Sequence, residues 1–351
     1  MFKHTPIAAA SLPSKSKLAL VALIMSGSLL GCSPTETTDK AAPDAESAAQ
    51  VDAQGEVNTA TEGAADSNGM VTMHTAQGEV EVPVNPHPLA VYDMTLMQDL
   101  AALGVEVEGL PNNLHLDNLK AANTPESRDI GTLFEPNMEV LNELQPKAIL
   151  IGSRMAEKYS TLQQMAPTLD LTVDTTDIYE SSKTRLADLG RLFNKSDKAA
   201  ALQQDIDKAI ADAKAASAGK GNGLVILVNG NKISAYGAAS RFGFLHTVFD
   251  IPMADANIKD ATHGQPVSFE YLQKTNPDWL FVLDRSSAIG EEGIGAKEVL
   301  DNPLVHETNA WKNDHVVYLS PDSYLAFGGY YQWLKDAKLV TDSFSKAAAS
   351  Q

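Results

Sequence analysis

Two arginines and two glutamates occupy matching positions in the two halves of the chain. Arg154 lies eight residues after Pro146, and Arg285 lies eight residues after Pro277. Each arginine follows an apolar run typical of a buried parallel strand, and open α/β sheets bind ligands beyond the carboxyl ends of such strands. Seven residues before each proline stands a glutamate: Glu139 and Glu270. The spacing indicates an internal repeat that brings both arginines to one cleft.

A third arginine, Arg241, follows the predicted strand that ends at Tyr236. Three permanently charged guanidinium groups around one cavity would repel each other unless an anion lay among them. Their planar forks suit oxygen-rich anions. Because the chain is rich in carboxylates, a surface ion pair is the alternative role for each arginine taken alone. The three arginines together favour an anion site.

One histidine and one tyrosine could supply metal ligands beside these arginines. His263 lies in a glycine-containing loop, and Tyr324 follows the predicted strand 315–319. An imidazole with a phenolate suits a hard ion such as Fe³⁺ better than Zn²⁺, which prefers further histidine or cysteine ligands. A solvent-facing histidine and a tyrosine packed among the aromatic residues of the C-terminus are the alternatives.

Strands and helices alternate in both halves, which predicts parallel βα units. A hairpin turn at Gln77-Gly78 opens the first half, and Asn229-Gly230-Asn231 is a strong hairpin turn in the second. The predicted strands are 71–82 (a hairpin), 89–92, 147–152, 224–228, 232–236, 279–283 and 315–319, and the predicted helices are 94–103, 137–144, 242–248 and 269–274.

The segment from Ser196 to Ala216 predicts one long helix between the halves. Ser196 is a suitable N-cap, and Leu202, Ile206 and Ile210 form an apolar stripe at a spacing of four. About 20 residues at 1.5 Å each span roughly 30 Å, enough to join two lobes. We therefore expect an α/β fold of two Rossmann-like βα lobes joined by a single long α-helix. The expected boundaries are 71–190 for the N-terminal lobe, 191–220 for the connecting helix and 221–351 for the C-terminal lobe.

The composition limits the class of partner. With 351 residues, of which 44% are apolar, the chain can bury a large core and favours about two domains. Its net charge of −18 disfavours nucleic acid, because phosphates require a basic surface. A small anion held in a locally basic cleft is compatible with this charge.

The N-terminus has the pattern of a secreted, lipid-anchored protein. A basic start precedes an apolar run at 18–30 that is too short to span a membrane comfortably. The run ends in Leu29-Leu30-Gly31-Cys32, which resembles the lipobox of bacterial lipoproteins and contains the only cysteine. We expect a signal peptide at 1–31, a lipidated Cys32 and a disordered acidic tether at 32–70. An ordinary signal peptide with an incidental cysteine is the alternative.

Several short motifs resemble one family of transport proteins. The chain is similar to the substrate-binding lipoproteins of siderophore ABC importers, in the branch that takes ferric catecholates of the enterobactin and petrobactin kind. That family has the class III periplasmic-binding-protein fold, with two α/β lobes and one long helix. The resemblance covers the chain from about Val71 to the C-terminus and is carried by Gly131-Thr-Leu-Phe-Glu-Pro, Ser234-Ala-Tyr-Gly, Ser240-Arg-Phe-Gly-Phe, Thr262-His-Gly-Gln, Val267-Ser-Phe-Glu-Tyr, Asp284-Arg and Tyr324-Leu.

The resemblance assigns expected roles to the residues above. The family's anion-binding arginines fall on Arg154, Arg241 and Arg285, and its iron-coordinating pair falls on His263 and Tyr324. A tetradentate bis-catecholate leaves two positions on octahedral iron, which this pair would fill.

The resemblance also gives the glutamates a role in transport, since Glu139 and Glu270 match a pair that docks on arginines of the membrane permease. A first-turn glutamate favoured by the helix dipole is the alternative for each.

The resulting expectation is a periplasm-facing, lipid-anchored monomer that binds a ferric siderophore, has no intrinsic cofactor and catalyses no reaction. A second interpretation keeps the fold but changes the ligand to haem or a corrinoid. A third is a secreted hydrolase that uses Ser268 or Ser240 with His263. No Gly-x-Ser-x-Gly elbow supports that third interpretation.

Overall fold

The computed structural model describes residues 69–120, 126–259, 261 and 263–349. The predicted signal peptide, Cys32 and the predicted tether up to residue 68 lie outside the described residues, so those predictions remain predictions. Within the described part of the chain, no helix is long and apolar enough to cross a membrane.

The N-terminal lobe is built on a parallel sheet with the strand order β5-β4-β3-β6-β7, and an antiparallel hairpin of β1 and β2 precedes it. Its strands are β1 (Met70–Thr75), β2 (Gly78–Pro83), β3 (Leu89–Val91), β4 (Gly109–Leu110), β5 (Arg128–Asp129), β6 (Ala148–Ile151) and β7 (Thr168–Asp170). Its helices are α1 (Met94–Leu103), α2 (Asp117–Lys120), α3 (Met138–Leu144), α4 (Tyr159–Leu162) and α5 (Ile178–Leu192), with a 3₁₀ helix at Ser153–Lys158.

The C-terminal lobe has a mixed sheet with the order β10-β9-β8-β11-β12, in which β9 runs antiparallel to the other four strands. Its strands are β8 (Gly223–Asn229), β9 (Lys232–Tyr236), β10 (Gln265–Val267), β11 (Trp279–Asp284) and β12 (Val316–Tyr318). The helices from the connector onward are α6 (Ser196–Ser217), α7 (Phe244–Thr247), α8 (Phe269–Thr275), α9 (Arg285–Ile289), α10 (Ala296–Val299), α11 (Pro303–His306), α12 (Asn309–Lys312), α13 (Pro321–Leu325) and α14 (Tyr330–Ala349).

Helix α6 is the predicted connector, and its stripe of Leu202, Ile206 and Ile210 is buried. The prediction that Ser196 is the N-cap is wrong, because α6 begins at Ser196 itself. The turn after α5 places Asn194 at a φ of 53° and closes with a bond from the Lys195 N–H to the Gly190 carbonyl. This tight C-terminal turn leaves no extended residue whose side chain could cap α6.

The two halves repeat each other where the prolines predicted it. Helices α3 and α8 are each seven residues long. The side chains of Asn137 and Ser268 cap their N-termini, and residues in the left-handed conformation end both helices. The wider repeat fails in the second sheet, because the hairpin at Gly230 turns β9 antiparallel to β8.

The predicted helix 242–248 is also wrong in extent, because α7 begins only at Phe244. The preceding residues form turns, in which the Gly243 N–H donates to the Ser240 carbonyl. A side chain at Gly243 would meet the Ala238 carbonyl, so only glycine fits this close approach.

The apolar core is continuous between the lobes. Alternate residues of each central strand point to opposite faces, as the period of two requires. Leu150 of β6 and Phe281 of β11 belong to one buried cluster that also includes residues of α6 and α14. Ile149 and Leu280 point the other way, into separate outer clusters. The lobes are therefore packed against a shared pair of long helices.

Candidate ligand-binding site

A cavity of about 540 Å³ lies between the lobes and is lined by residues from both. The N-terminal lobe contributes Ser153, Arg154 and Thr172, and the C-terminal lobe contributes Arg241, His263, Tyr324 and Phe327. Four of the five residues predicted to hold the ligand therefore line one space, and the remaining one, Arg285, reaches it indirectly.

Arg154 lies directly beyond β6, in the 3₁₀ helix, and its side chain is 15% exposed. Its Nη1 and Nη2 donate to the carbonyls of Leu325 and Tyr324, at 3.2 and 3.3 Å. Burial and the neighbouring Arg241 both lower the pKa of Arg154, while Asp93 opposes them. The guanidinium groups of Arg154 and Arg241, one from each lobe, are thus close enough for their charges to repel each other.

Arg241 lies among aromatic rings. Its guanidinium carbon is 4.6 Å from the ring centres of Phe242 and Tyr324 and 5.8 Å from that of Phe327. Within the described residues, its buried Nε has no hydrogen-bond partner. A buried donor left unpaired is costly, so an anion in the cavity would satisfy a group that the protein leaves open.

Arg285 begins α9, directly beyond β11, and its side chain is 31% exposed. It does not line the cavity wall, although the prediction placed it on the wall opposite Arg154. Its Nη1 lies 3.2 Å from Glu291 and 3.4 Å from Asn229, so it forms the surface ion pair that was the alternative role. It also lies near enough to the Tyr324 side chain, which does line the cavity, to lower the pKa of that phenol.

The hydroxyl of Tyr324 lies near the guanidinium groups of Arg241 and Arg285. Burial alone would raise its pKa, but hydrogen bonds and charge from Arg241 and Arg285 outweigh burial and lower it. Burial dominates at Tyr236 next to it, whose pKa is raised. The pKa of Tyr324 is therefore lowered while that of Tyr236 is raised, so the phenolate is easier to form at Tyr324.

His263 is exposed and lies in the turn before β10. The turn closes with a bond from the Gly264 N–H to Ala261, and Gly264 has a φ of 71°. A side chain at Gly264 would meet the Tyr236 ring, so this glycine lets the turn pack close and brings His263 to the cavity. In the part of the chain that the structure describes, no group of three or more His, Cys, Asp or Glu residues could hold a metal.

One residue of the site escaped the sequence reasoning. Asp93 follows β3 as Arg154 follows β6; its Oδ1 caps α1 and its Oδ2 lies 3.8 Å from Arg154. A side chain at Gly152 would lie 2.4 Å from the Asp93 carboxylate, so glycine permits the close approach of Asp93. The strand-end rule applied to 89–92 would have found it.

Glu139 and Glu270 are exposed in the first turns of α3 and α8. The structure places them at equivalent positions of the two lobes, and neither lines the cavity. Hydrogen bonding by Ser268 and by its own backbone lowers the pKa of Glu270. Both the docking role and the helix-dipole role are consistent with this exposure.

Residues 89–323 match the model of the family described as "Periplasmic binding protein". The chain belongs to the periplasmic binding protein family. It is therefore a binding protein and not an enzyme, and the candidate nucleophiles agree: Ser268 caps α8, and the Ser240 hydroxyl donates to the Gly237 carbonyl at 2.7 Å.

Two relatives give this periplasmic binding protein a closer context. It is 39% identical over 302 residues to the petrobactin-binding protein YclQ of Bacillus subtilis, which covers 84% of this chain and 95% of YclQ. It is 31% identical over 279 residues to the ferric-anguibactin-binding protein FatB of Vibrio anguillarum, covering 78% of this chain and 86% of FatB. The crystal structure of YclQ superposes with a TM-score of 0.75 over 78% of this chain and 98% of that one. The fold is the two-lobed, single-connector class III architecture.

Proposed function

We propose that this protein captures an anionic ferric siderophore of the catecholate type and delivers it to an ABC permease for iron uptake. The observation that carries the proposal is the meeting of Arg154 from one lobe with Arg241 from the other around the Tyr324 side chain. Two catecholate dianions on Fe³⁺ leave a net negative complex, and charge-assisted hydrogen bonds from guanidinium groups suit its oxygens. The names of YclQ and FatB, a petrobactin and a ferric-anguibactin binder, support the same ligand class.

His263 and Tyr324 complete the iron coordination in this proposal. Both line the cavity, and they come from separate segments whose packing leaves space between them for a ligand. A tetradentate bis-catecholate would occupy four positions of octahedral iron, and the imidazole and the phenolate would take the other two. Iron is cargo here and belongs to the siderophore complex.

Absorbance titration of the purified protein with a ferric bis-catecholate tests the coordination. We expect saturable binding with a shifted visible charge-transfer band, because a new phenolate ligand changes the iron's electronic transitions. His263→Ala and Tyr324→Phe should each weaken binding; Tyr324→Phe should remove the shift and His263→Ala should alter it, whereas Tyr318→Phe, an exposed tyrosine, should change neither. Identical spectra for the wild type and both ligand variants would exclude the two residues from the iron.

Delivery would use Glu139 and Glu270 as contacts for the permease. They project from equivalent capped helices, and exposed carboxylates suit arginines on a partner surface. The double variant Glu139→Ala/Glu270→Ala should bind ferric siderophore normally but fail to stimulate ATP hydrolysis by the reconstituted permease. Glu143→Ala, also exposed and on α3, is the matched control and should stimulate normally. Equal stimulation by both variants would remove the glutamates from docking.

The protein would be held at the membrane by a lipid on Cys32, which lies outside the described residues. Expression of the full chain with a labelled fatty acid should label the wild type and not Cys32→Ala, and only the wild type should sediment with membranes. A labelled Cys32→Ala protein would contradict the anchor.

A further inference from the structure

Helix α13, which carries Tyr324, follows the last strand of the C-terminal lobe, yet its polar contacts reach the N-terminal lobe. Arg154 donates to the carbonyls of Tyr324 and Leu325 at its C-terminal end. On its buried side, Nε2 of Gln98 in α1 donates to Oδ1 of Asp322 at 2.5 Å. Helix α13 is thus hydrogen-bonded to the N-terminal lobe at two places, its C-terminal end and Asp322.

Gln98 is the central contact of this junction and is completely buried. Besides binding Asp322, its Oε1 accepts the backbone N–H of Gln332 at the start of α14. A side chain at Gly329 would lie 2.6 Å from that oxygen, so the glycine permits the close approach. One amide of α1 therefore holds both the helix that bears Tyr324 and the helix that follows it.

The charge of Asp322 has a partner of its own. Asp322 is 3% exposed and also accepts from Lys335 at 2.7 Å, so a buried carboxylate at this position is compensated. Fully paired buried polar groups specify one arrangement, because shifting them leaves donors and acceptors unsatisfied. The arrangement fixed here is the position of α13 relative to the N-terminal lobe.

We infer that Gln98 is a positioning residue for ligand capture, holding α13 so that the Tyr324 hydroxyl faces the arginines of both lobes. The inference rests on the proposed function, but it makes a separate claim about the ligand-free protein. Gln98 itself is buried and does not line the cavity.

Amide hydrogen exchange of the ligand-free protein tests the positioning without any siderophore. Gln98→Leu nearly keeps the side-chain size and removes the amide. We expect it to accelerate amide exchange in 321–328 at least tenfold more than it accelerates exchange in β8. Leu100→Ala, a buried change on the same helix that removes no hydrogen bond to α13, should raise exchange in both regions alike. Equal effects of the two variants in 321–328, relative to β8, would overturn the inference.

Binding of a ferric bis-catecholate supplies the second measurement. Gln98→Leu should bind at least tenfold more weakly than Leu100→Ala and show a weaker phenolate-to-iron band. Asp322→Asn keeps an acceptor for Gln98 and should retain the band, whereas Asp322→Leu should lose it. Wild-type band and affinity in Gln98→Leu would refute the positioning role. A wild type that binds no ferric catecholate would refute the proposed function instead, and exchange would still decide the role of Gln98.

Discussion

Replacing Arg241 by methionine separates ligand binding from stability. The guanidinium of Arg241 already contacts the rings of Phe242 and Tyr324 without any ligand. Its buried Nε, in contrast, has no hydrogen-bond partner among the described residues. An anion in the cavity would give this Nε a hydrogen-bond partner and leave the ring contacts as they are. A hydrogen bond to a charged group contributes about 1.5–3 kcal/mol, so Arg241→Met should weaken binding of a ferric bis-catecholate roughly 10- to 150-fold.

The same change should leave the ligand-free protein almost as stable as before. Loss of the stacking on Tyr324 and Phe242 costs about 0.5–1 kcal/mol at a partly exposed site. Methionine recovers part of this through contacts between its sulfur and the rings. Removing Arg241 also relieves its repulsion of Arg154. We expect the free energy of unfolding to change by no more than about 1 kcal/mol.

Isothermal titration calorimetry and urea unfolding measure the two quantities on the same preparations. Arg241→Lys is the matched control, because it keeps the charge but not the planar fork, and its affinity should lie between those of the wild type and Arg241→Met. Binding by Arg241→Met within twofold of the wild type would refute the reasoning. A loss of affinity matched by an equal loss of folding stability would refute it as well.

Three further predictions concern titration and motion. Since Arg241 and Arg285 lower the pKa of Tyr324, it should be the first of the nine tyrosines to ionise as pH rises, and ultraviolet titration of Tyr324→Phe should lack that first step. Burial raises the pKa of Asp336 to about 7. The native state therefore keeps a proton on Asp336 that the unfolded chain loses near the ordinary aspartate pKa of 3.8. As pH rises from about 4 to about 7, the free energy of unfolding of the wild type should fall by about 4 kcal/mol relative to that of Asp336→Asn. Urea unfolding of both proteins at the two pH values measures this, and an unchanged difference between them would contradict it. Because one helix and a shared core join the lobes, crystals with and without ligand should differ by less than about 20° of lobe rotation, and a larger rotation would contradict this.

The sequence was sufficient to predict that Arg154 lines the cavity, because the rule about strand ends is local, but the same rule placed Arg285 on the opposite wall, which it does not line. Arg154 and Arg285 each follow a strand that the apolar pattern identified, and the proline repeat gave the register. The capped helices α3 and α8 were predictable for the same reason, since N-caps and left-handed ends depend on a few neighbouring residues.

The remaining features depend on packing between distant segments. Gln98 and Asp322 are separated by 224 residues, and nothing in either local pattern indicates that they meet. The pairing of Arg285 with Glu291 is set by the short helix α9, which periodicity could not identify. The prediction of Ser196 as an N-cap was wrong because the tight turn that ends α5 runs directly into α6 and leaves no extended residue before it.

The central claim is that arginines from both lobes bind one anionic ferric ligand, and dissociation constants of two single variants test it most directly. Arg154→Met removes the guanidinium that the N-terminal lobe contributes to the cavity, and Arg241→Met removes the one that the C-terminal lobe contributes. Both variants should bind a ferric bis-catecholate at least about tenfold more weakly than the wild type, since each loses a charge-assisted contact. If either lobe's arginine can be removed with no loss of affinity, the ligand is not shared between the lobes.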